Sequence, residues 1–410
     1  MNDNLHIKGN VLVGQSGGPT AVINSSLAGV FAAAKKLGAD KVLGMLNGIE
    51  GILSDKYTVL DETLKTDFDV ELLKRTPSSF LGSCRYKLPK PEKGNEIYEK
   101  LFTFFKEHNI TCCFYIGGND SMDTVGKLYD YACLVESDIR FVGVPKTIDN
   151  DLEITDHTPG YGSAAKYIAT VTKELVRDGL VYDLKSVTVV EIMGRDSGWL
   201  TAAAALARGD DCEGADMILL PERLINAEFI AQRVEQLQKE KKSLVIAVSE
   251  GVRTPEGEYL CAIGDGTKDI FGHTQLSGTG QAVAAMLKSQ LGIKTRAVEL
   301  STLQRCASHI ASITDIEEAF SCGAAAVKAA ANGESGKMVL LKRVSDLPYT
   351  CITDTADVHN IANFAKTVPD SMINADGDYV TAEFIEYCSP LVMGEASQFM
   401  ANGLPMHIKL

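Results

Sequence analysis

Gly143-Val144-Pro145-Lys146-Thr147-Ile148-Asp149-Asn150-Asp151 follows a short apolar run, Phe141 to Val144, and its reading decides the fold. The run reads as a buried strand that ends in a loop. Two carboxylates, a lysine and a hydroxyl then fall within six residues at the strand's C-terminal mouth. In open α/β sheets ligands bind outside the carboxyl ends of the strands, so chemistry is expected here. Asp149 and Asp151 are two apart, so in an extended loop they face one pocket together. Lys146 is near enough to offset their charge or to hold an anion. Read alone, the stretch is also a polar turn capping the next helix. The rest of the sequence decides between the two.

Apolar runs alternate with helix-like segments on both sides of this stretch. Asn10–Gly14, Lys41–Leu46 and Asn109–Ile116 read as strands before it, and Ser186–Glu191, Met217–Leu220 and Leu244–Val248 after it. Between them lie helical patterns at Ala21–Leu37, Ser121–Ala132, Gly162–Arg177 and the Ala-rich Gly198–Arg208. Thr314-Asp315-Ile316-Glu317 has the form of a capping box opening a helix to Ala331. This alternation predicts an α/β fold with parallel sheets covered on both faces. Beyond about Lys342, clusters of Asp, Asn and Gly predict loops wrapped over the domains.

The chain's 410 residues exceed one ordinary core, which predicts two domains. A hydrophobic content of 45% against 23% charged residues is that of a soluble globular protein. No apolar run approaches the ~20 residues of a membrane span. The polar first ten residues contain no apolar signal core, so no export is expected. The ten cysteines form no C-x-x-C pair, and Cys112–Cys113 sit inside an apolar strand, which together predict buried thiols in a reducing cytoplasm. A net charge of −14 argues against nucleic acid as a partner. Any anionic substrate then needs a local basic pocket.

Gly17-Gly18 follows the first strand, and Gly117-Gly118-Asn119-Asp120-Ser121 follows the strand ending at Ile116. Paired glycines at strand–helix junctions let backbone N–H groups approach an anion, so two such junctions predict phosphate binding. Asn119 and Asp120 add an amide and a carboxylate that could meet a metal. Three further matches fail on context. Gly14-Gln15-Ser16-Gly17-Gly18 fits the serine-hydrolase elbow, but it sits on the first strand with no oxyanion segment to partner it. Gly160-Tyr161-Gly162-Ser163-Ala164-Ala165 follows a polar loop, not a strand. Gly333-Glu334-Ser335-Gly336-Lys337-Met338 lacks the phosphate loop's first glycine and its final hydroxyl.

A second set of polar residues sits after later strands. Met193-Gly194-Arg195 follows the Ser186 strand, and Ser249-Glu250-Gly251 follows Leu244–Val248. Arg195 is placed for an anion or sugar oxygens, and Glu250 for sugar hydroxyls. Arg296 and Arg305 flank an apolar segment, and a guanidinium fork suits phosphate. Each arginine alone also fits a solvated surface.

Taken together, these residues resemble the phosphofructokinase superfamily. The motifs run in family order: the glycine pair with Asn24, Gly82–Arg85, Gly117–Ser121, Pro145–Asp151, Met193–Arg195, Glu250–Gly251, and Arg296 with Gln304 and Arg305. They cover about Gly14 to Asp315. The resemblance implies two Rossmann-like three-layer domains with the active site in the cleft between them. Residues 1–160 plus about 306–345 would bind the phosphoryl donor, and 161–305 plus about 346–410 the sugar phosphate. By resemblance Asp149 is the base that takes the proton from the sugar's 1-hydroxyl. Thr147 and Asp151 position that hydroxyl, Ile148 between them falls among the substrate-binding residues, and Arg195 bridges the transferred group and its acceptor. Met193, Gly194, Glu250 and Thr302 fall at sugar contacts. Arg296 and Arg305 resemble arginines on the 6-phosphate, one of them from a neighbouring subunit. Lys185 falls where many members place a further residue acting across subunits. Gly17, Gly18, Arg85 and Gly118 resemble donor contacts.

Departures from the family pattern refine the expectation. ATP-using members carry GGDGS where this chain has Gly117-Gly118-Asn119-Asp120-Ser121, so Asn119 replaces a magnesium aspartate and Asp120 replaces a glycine. Lys146 stands where those members have glycine, and Thr302 where the family has histidine or tyrosine. Asp120 with Lys146 is similar to the pyrophosphate-dependent branch. The resemblance therefore implies Mg2+-assisted phosphoryl transfer from pyrophosphate to fructose 6-phosphate by a cytoplasmic homodimer or homotetramer. An ATP-dependent enzyme is the alternative within the family. A serine hydrolase on Ser16 and a non-catalytic family member are the alternatives outside that chemistry.

Overall fold

The computed structural model describes residues 5–260, 278–362 and 364–410. In the first sheet, strands β1 (Asn10–Gln15), β2 (Val42–Met45), β3 (Tyr57–Val59), β4 (Ile110–Gly117) and β5 (Arg140–Pro145) come from the first third of the chain. The second sheet holds β6 (Ser186–Ile192), β7 (Met217–Leu219), β8 (Ser243–Ser249) and β9 (Lys294–Glu299) in the order β7–β8–β6–β9, all parallel. The chain then returns to the first sheet with β10 (Lys337–Asp346) and β11 (Tyr349–Asp357). That sheet runs β11–β10–β5–β4–β1–β2–β3 and is parallel except at its two antiparallel edges, β3 and β11.

Alternation within each strand builds two cores per sheet. In β4, Cys112, Phe114 and Ile116 face α1 (Ile23–Lys36), while Cys113 and Tyr115 face the opposite layer. That layer holds α2 (Gly48–Ile52), α4 (Glu96–Glu107) and α5 (Asn119–Leu134); α3 (Asp67–Arg75) lies on the α1 side. The second sheet is covered on one face by α6 (Tyr161–Gly179), α7 (Trp199–Ala202) and α11 (Ala382–Cys388). Its other face carries α8 (Ala227–Leu237) and α9 (Thr279–Leu291). The α1 face is completed by α10 (Ile313–Ala331). The two helices touch through backbone: a Cβ on Gly29 would stand 2.1 Å from the Phe320 carbonyl, and one on Gly323 would stand 2.0 Å from that of Ser26. Any side chain at either glycine forces the helices apart.

Four expectations change. The helix after Gly198 is one α turn, Trp199–Ala202, that tightens into a 3-10 run over Ala203–Ala207. The cap of α10 is Ser312, whose hydroxyl accepts from the Asp315 amide at 3.5 Å, and not a Thr314–Glu317 box. The Asp315 carboxylate instead accepts the Gly160 and Ser163 amides at 2.8 Å each, capping α6 across the two halves of the molecule. The region beyond Lys342 is not wholly loop, because β10 and β11 form a hairpin there. A boundary near 345 splits that hairpin, since Tyr349–Asp357 is the edge strand of the first sheet. The later segment, with Val368, Ile373, Phe384 and Leu391, supplies buried residues to the core of the second sheet, and Tyr349 of the hairpin packs against it.

Candidate functional site

The loop after β5 enters the cleft with its backbone already paired. Lys146 N–H donates to the Gly117 carbonyl at 3.1 Å, and Thr147 N–H to that of Pro159 at 3.3 Å. The Thr147 hydroxyl accepts the Asp149 amide at 3.1 Å, and Ile148 is buried in the core of the second sheet. The loop is not extended, as its spacing had suggested. Asn150 takes φ +56°, a left-handed turn that Asn tolerates better than most side chains. Both carboxylates still face Lys146, but through this turn and not through strand-like alternation.

Charge in the loop is held at high cost. The Lys146 side chain is 3% exposed, and its Nζ donates to the Gly18 carbonyl at 2.6 Å. Burial pulls its pKa down to about 8, against the opposing charges of Asp149 and Asp151. Burial raises Asp149, countered first by Lys146, then by the Thr147 hydrogen bond, Arg305 and Arg195. Burial and the neighbouring Asp149 push Asp151 up to about 7. Burial likewise lifts Glu250 to about 7. Asp151 and Glu250, poised this close to neutrality, are suited to accepting and returning a proton.

The second sheet supplies the facing wall. Met193 N–H donates to the Gln304 side-chain carbonyl at 3.2 Å, and Glu250 N–H to the Ile192 carbonyl at 3.0 Å. Ser249 Oγ donates to the Gly194 carbonyl. A Cβ on Gly251 would lie 1.7 Å from the Arg195 carbonyl, so glycine lets these two strand ends close together. Arg195 Nε is buried and finds no hydrogen-bond partner among the described residues, leaving a donor for a ligand. The Arg305 guanidinium reaches the glycine loop, where a Cβ on Gly18 would stand 3.1 Å from it. Thr302 is exposed on the same 3-10 turn.

The donor loops differ in how they are held. Gly17, at φ +76°, donates its N–H to the Cys84 carbonyl at 3.3 Å and accepts the Ser83 hydroxyl at 2.6 Å. A Cβ there would stand 3.3 Å from Lys146 Nζ. Gly17 and Gly18 thus leave open the space in front of two cations. They do not sit at a helix N-terminus, since α1 begins only at Ile23. Gly118 does, as the N-cap of α5. The Ser16 hydroxyl donates to the Cys84 carbonyl at 3.3 Å, so its proton is directed at a backbone carbonyl and not at a base. Arg85 is exposed on the adjoining loop, close enough that its charge helps lower the pKa of Lys146. Asn119 donates its amide to the Phe364 carbonyl at 2.7 Å, which turns its own Oδ1 inward, buried and unpartnered. Asp120 is exposed in the first turn of α5. Among the described residues no three His, Cys, Asp or Glu side chains gather as a metal cage. The lone Oδ1 fits Mg2+, which takes few protein oxygens and completes its shell with phosphate oxygens and water.

Two predicted residues are not brought to this cleft within one chain. Arg296 is exposed on β9 and pairs with Asp178 at 3.3 Å. Lys185 is exposed just before β6, at the strand end opposite Met193, about 26 Å away along an extended strand. Conversely, no local pattern in the chain marks Lys366. Its N–H donates to the Asp151 carbonyl at 2.8 Å, its carbonyl accepts from Ser197 and Trp199, and its Nζ donates to the Asp156 carbonyl at 2.7 Å. Nor does any mark Tyr387, whose hydroxyl accepts from Asn150 at 2.8 Å. An Asn between two carboxylates was the one local hint of a left-handed turn.

Known proteins resemble this chain over nearly its whole length. A family model for phosphofructokinase matches residues 10–330. A protein of Halomonas elongata named pyrophosphate–fructose 6-phosphate 1-phosphotransferase is 39% identical over 405 residues, spanning 98% of this chain and 96% of its own. One of the same name from Xanthomonas campestris is 39% identical over 407 residues, spanning 98% and 96%. The crystal structure of a pyrophosphate-dependent phosphofructokinase from Nitrosospira multiformis superposes with a TM-score of 0.88 at 36% identity, covering 98% and 96%.

Proposed function

The chain belongs to the phosphofructokinase family, and we propose that its cleft carries out the reversible transfer of a phosphoryl group from pyrophosphate to the 1-hydroxyl of fructose 6-phosphate. Asp149 takes the hydroxyl proton as the oxygen bonds to phosphorus. The bond between the transferred group and its bridging oxygen breaks, and orthophosphate leaves. Lys146 faces the bridging and leaving oxygens, where negative charge develops, so it favours the transition state more than the bound donor. Arg195 spends its free donors on the transferred group. Asp151 and Thr147 hold the hydroxyl against Asp149. In the reverse direction the proton on Asp149 returns to the sugar oxygen. Mg2+, held through Asn119 Oδ1 and donor oxygens, would neutralise phosphate charge.

The observation that carries pyrophosphate over ATP is the buried Lys146 ammonium. It fills the space behind Gly17 and Gly18 and binds the Gly18 carbonyl. Asp120, at the start of α5, sets a carboxylate where a nucleotide's next phosphate would pass, a like-charge contact. The sugar side is completed by Glu250, Met193, Gly194 and Arg305. Arg296 and Lys185 act on a neighbouring copy in a homodimer or homotetramer. Their exposure supports this, as do the exposed Leu180, Val181 and Tyr182 beside Lys185. The nine free cysteines among the described residues fit a cytoplasmic enzyme. Among those residues no helix is long and apolar enough to cross a membrane.

The test is turnover of fructose 6-phosphate with pyrophosphate or with ATP, alongside Asp120→Gly. The wild type is expected to use pyrophosphate in both directions and barely use ATP, and the variant to gain ATP turnover. Efficient ATP use with no pyrophosphate activity would establish the ATP-dependent alternative instead. No turnover with either donor would leave a non-catalytic member.

A further inference from the structure

Asn150 separates the two site carboxylates, and its left-handed turn is held at both ends of its amide. Nδ2 donates to the Tyr387 hydroxyl at 2.8 Å, and Oδ1 accepts the Thr158 N–H at 3.1 Å. The Tyr387 hydroxyl in turn donates to the Asp156 carbonyl at 2.8 Å. The Tyr387 carbonyl accepts from Arg343 at 2.9 Å, and the same guanidinium grips the Asp156 carboxylate at 3.0 and 3.2 Å. Behind Asp156 lies His157, fully buried, with its ring nitrogens 2.7 Å from Asp156 and 2.7 Å from Glu318. Tyr349 donates to the second oxygen of Glu318 at 2.5 Å. Glu318 comes from α10, Arg343 from β10, Tyr349 from β11 and Tyr387 from α11. None of these four has a part in the proposed transfer, yet together they brace the turn that sets Asp149 beside Asp151.

We propose, resting on the phosphoryl-transfer reading above, that Tyr387 is a positioning residue. Its hydroxyl fixes the left-handed turn at Asn150 and thereby the alignment of Asp149 with Asp151. The arrangement is suited to that role because the hydroxyl is doubly engaged. It accepts from the residue it holds and donates to a carbonyl that Lys366 Nζ also grips at 2.7 Å, so it has little freedom to follow a drifting loop. The ring is fixed as well, 5.1 Å from Trp199 and with the Arg343 guanidinium over it at 4.8 Å.

Tyr387→Phe keeps that ring and removes only the hydroxyl. Its kcat with pyrophosphate should fall by about 10–100-fold, the scale of an ångström-level misplacement, while KM for either substrate moves by less than about threefold. Asn150→Gly is the second variant, since glycine adopts φ +56° without strain. In the Asn150→Gly background the hydroxyl has no amide to hold, so adding Tyr387→Phe should cost less than about twofold more. In substrate-free protein, carboxyl NMR should show the titration of the Asp149–Asp151 pair displaced in Tyr387→Phe. Lys146, Arg195, Arg305, Glu250 and Lys366 surround that pair and are left in place. Wild-type kcat in Tyr387→Phe, losses that simply multiply in the double variant, or an unmoved titration each overturn the proposal. A wild type that does not turn over pyrophosphate overturns the functional reading alone, because the titration still decides this one.

Discussion

Lys146→Met should abolish most turnover while leaving the protein about as stable as it was. Burial lowers the ammonium's pKa from 10.5 to about 8 in the folded chain. The unfolded chain therefore binds this proton more tightly, and between pH 8 and 10.5 it holds more protons than the folded one. Wild-type stability from this group consequently rises with pH across that window. Below pH 8 the buried charge costs about 3 kcal/mol. Methionine removes that cost but also the charged hydrogen bond to the Gly18 carbonyl, worth about 1.5–3 kcal/mol. At pH 7 the two terms nearly cancel. The discriminating quantity is the slope: from pH 8 to 10.5 the wild type should gain about 3 kcal/mol on the variant. Asp149 and Asp151, without their opposing charge, titrate later in the variant and widen the gap in the same direction. Urea unfolding of both proteins at pH 7, 8 and 10.5 measures this. Pyrophosphate turnover in the variant should fall by about 10²–10³. Parallel stability profiles, or a variant several kcal/mol weaker at pH 7, would refute the view that the site's charge is maintained against burial.

Asp149→Asn should lower kcat by about 10²–10⁴ and change the sugar KM far less, as steady-state kinetics in both directions would show. Near-wild-type turnover would remove Asp149 as the base. Arg296→Ala should raise the sugar KM by about 10–100-fold through loss of a charge-assisted contact. Mixing Arg296→Ala with Asp149→Asn subunits should then restore part of the activity, and an active monomer with an unchanged KM rules out a shared site. For His157, burial opposes the charge, but Glu318 and Asp156 prevail and raise its pKa from 6.5 to about 9. Its stabilisation is complete below pH 6.5 and is lost as pH rises through 9. The wild type's advantage over His157→Gln should therefore shrink by about 3 kcal/mol across that range, and a constant difference would count against a buried imidazolium.

The legible features were those written into short stretches of chain. An apolar run of strand length followed by Pro145–Asp151 locates a strand end whatever the rest of the molecule does. The same holds for β4 with Gly117–Asp120, β6 with Met193–Arg195 and β8 with Glu250. Strand alternation placed Cys112 and Cys113 on opposite faces for an equally local reason. Where a cap depends on which hydroxyl the backbone turns toward, local pattern failed, and Ser312 displaced Thr314. The hairpin at Lys337–Asp357 is weakly marked in the sequence because its outer strand is only half-buried, touching the cores through Tyr349, Cys351 and Ala356 among polar residues. The left-handed turn at Asn150, the Asp315 cap on α6 and the Lys366 stitch were decided only by tertiary structure. Each joins groups 152 to 237 residues apart, or trades one hydrogen-bond partner for another at little energy. The pKa values were decided there too, because burial is their largest cause and burial belongs to the packed molecule. The sequence determined which groups stand at the strand ends. The fold determined how far those groups are removed from water, and hence which of them hold a proton near neutral pH.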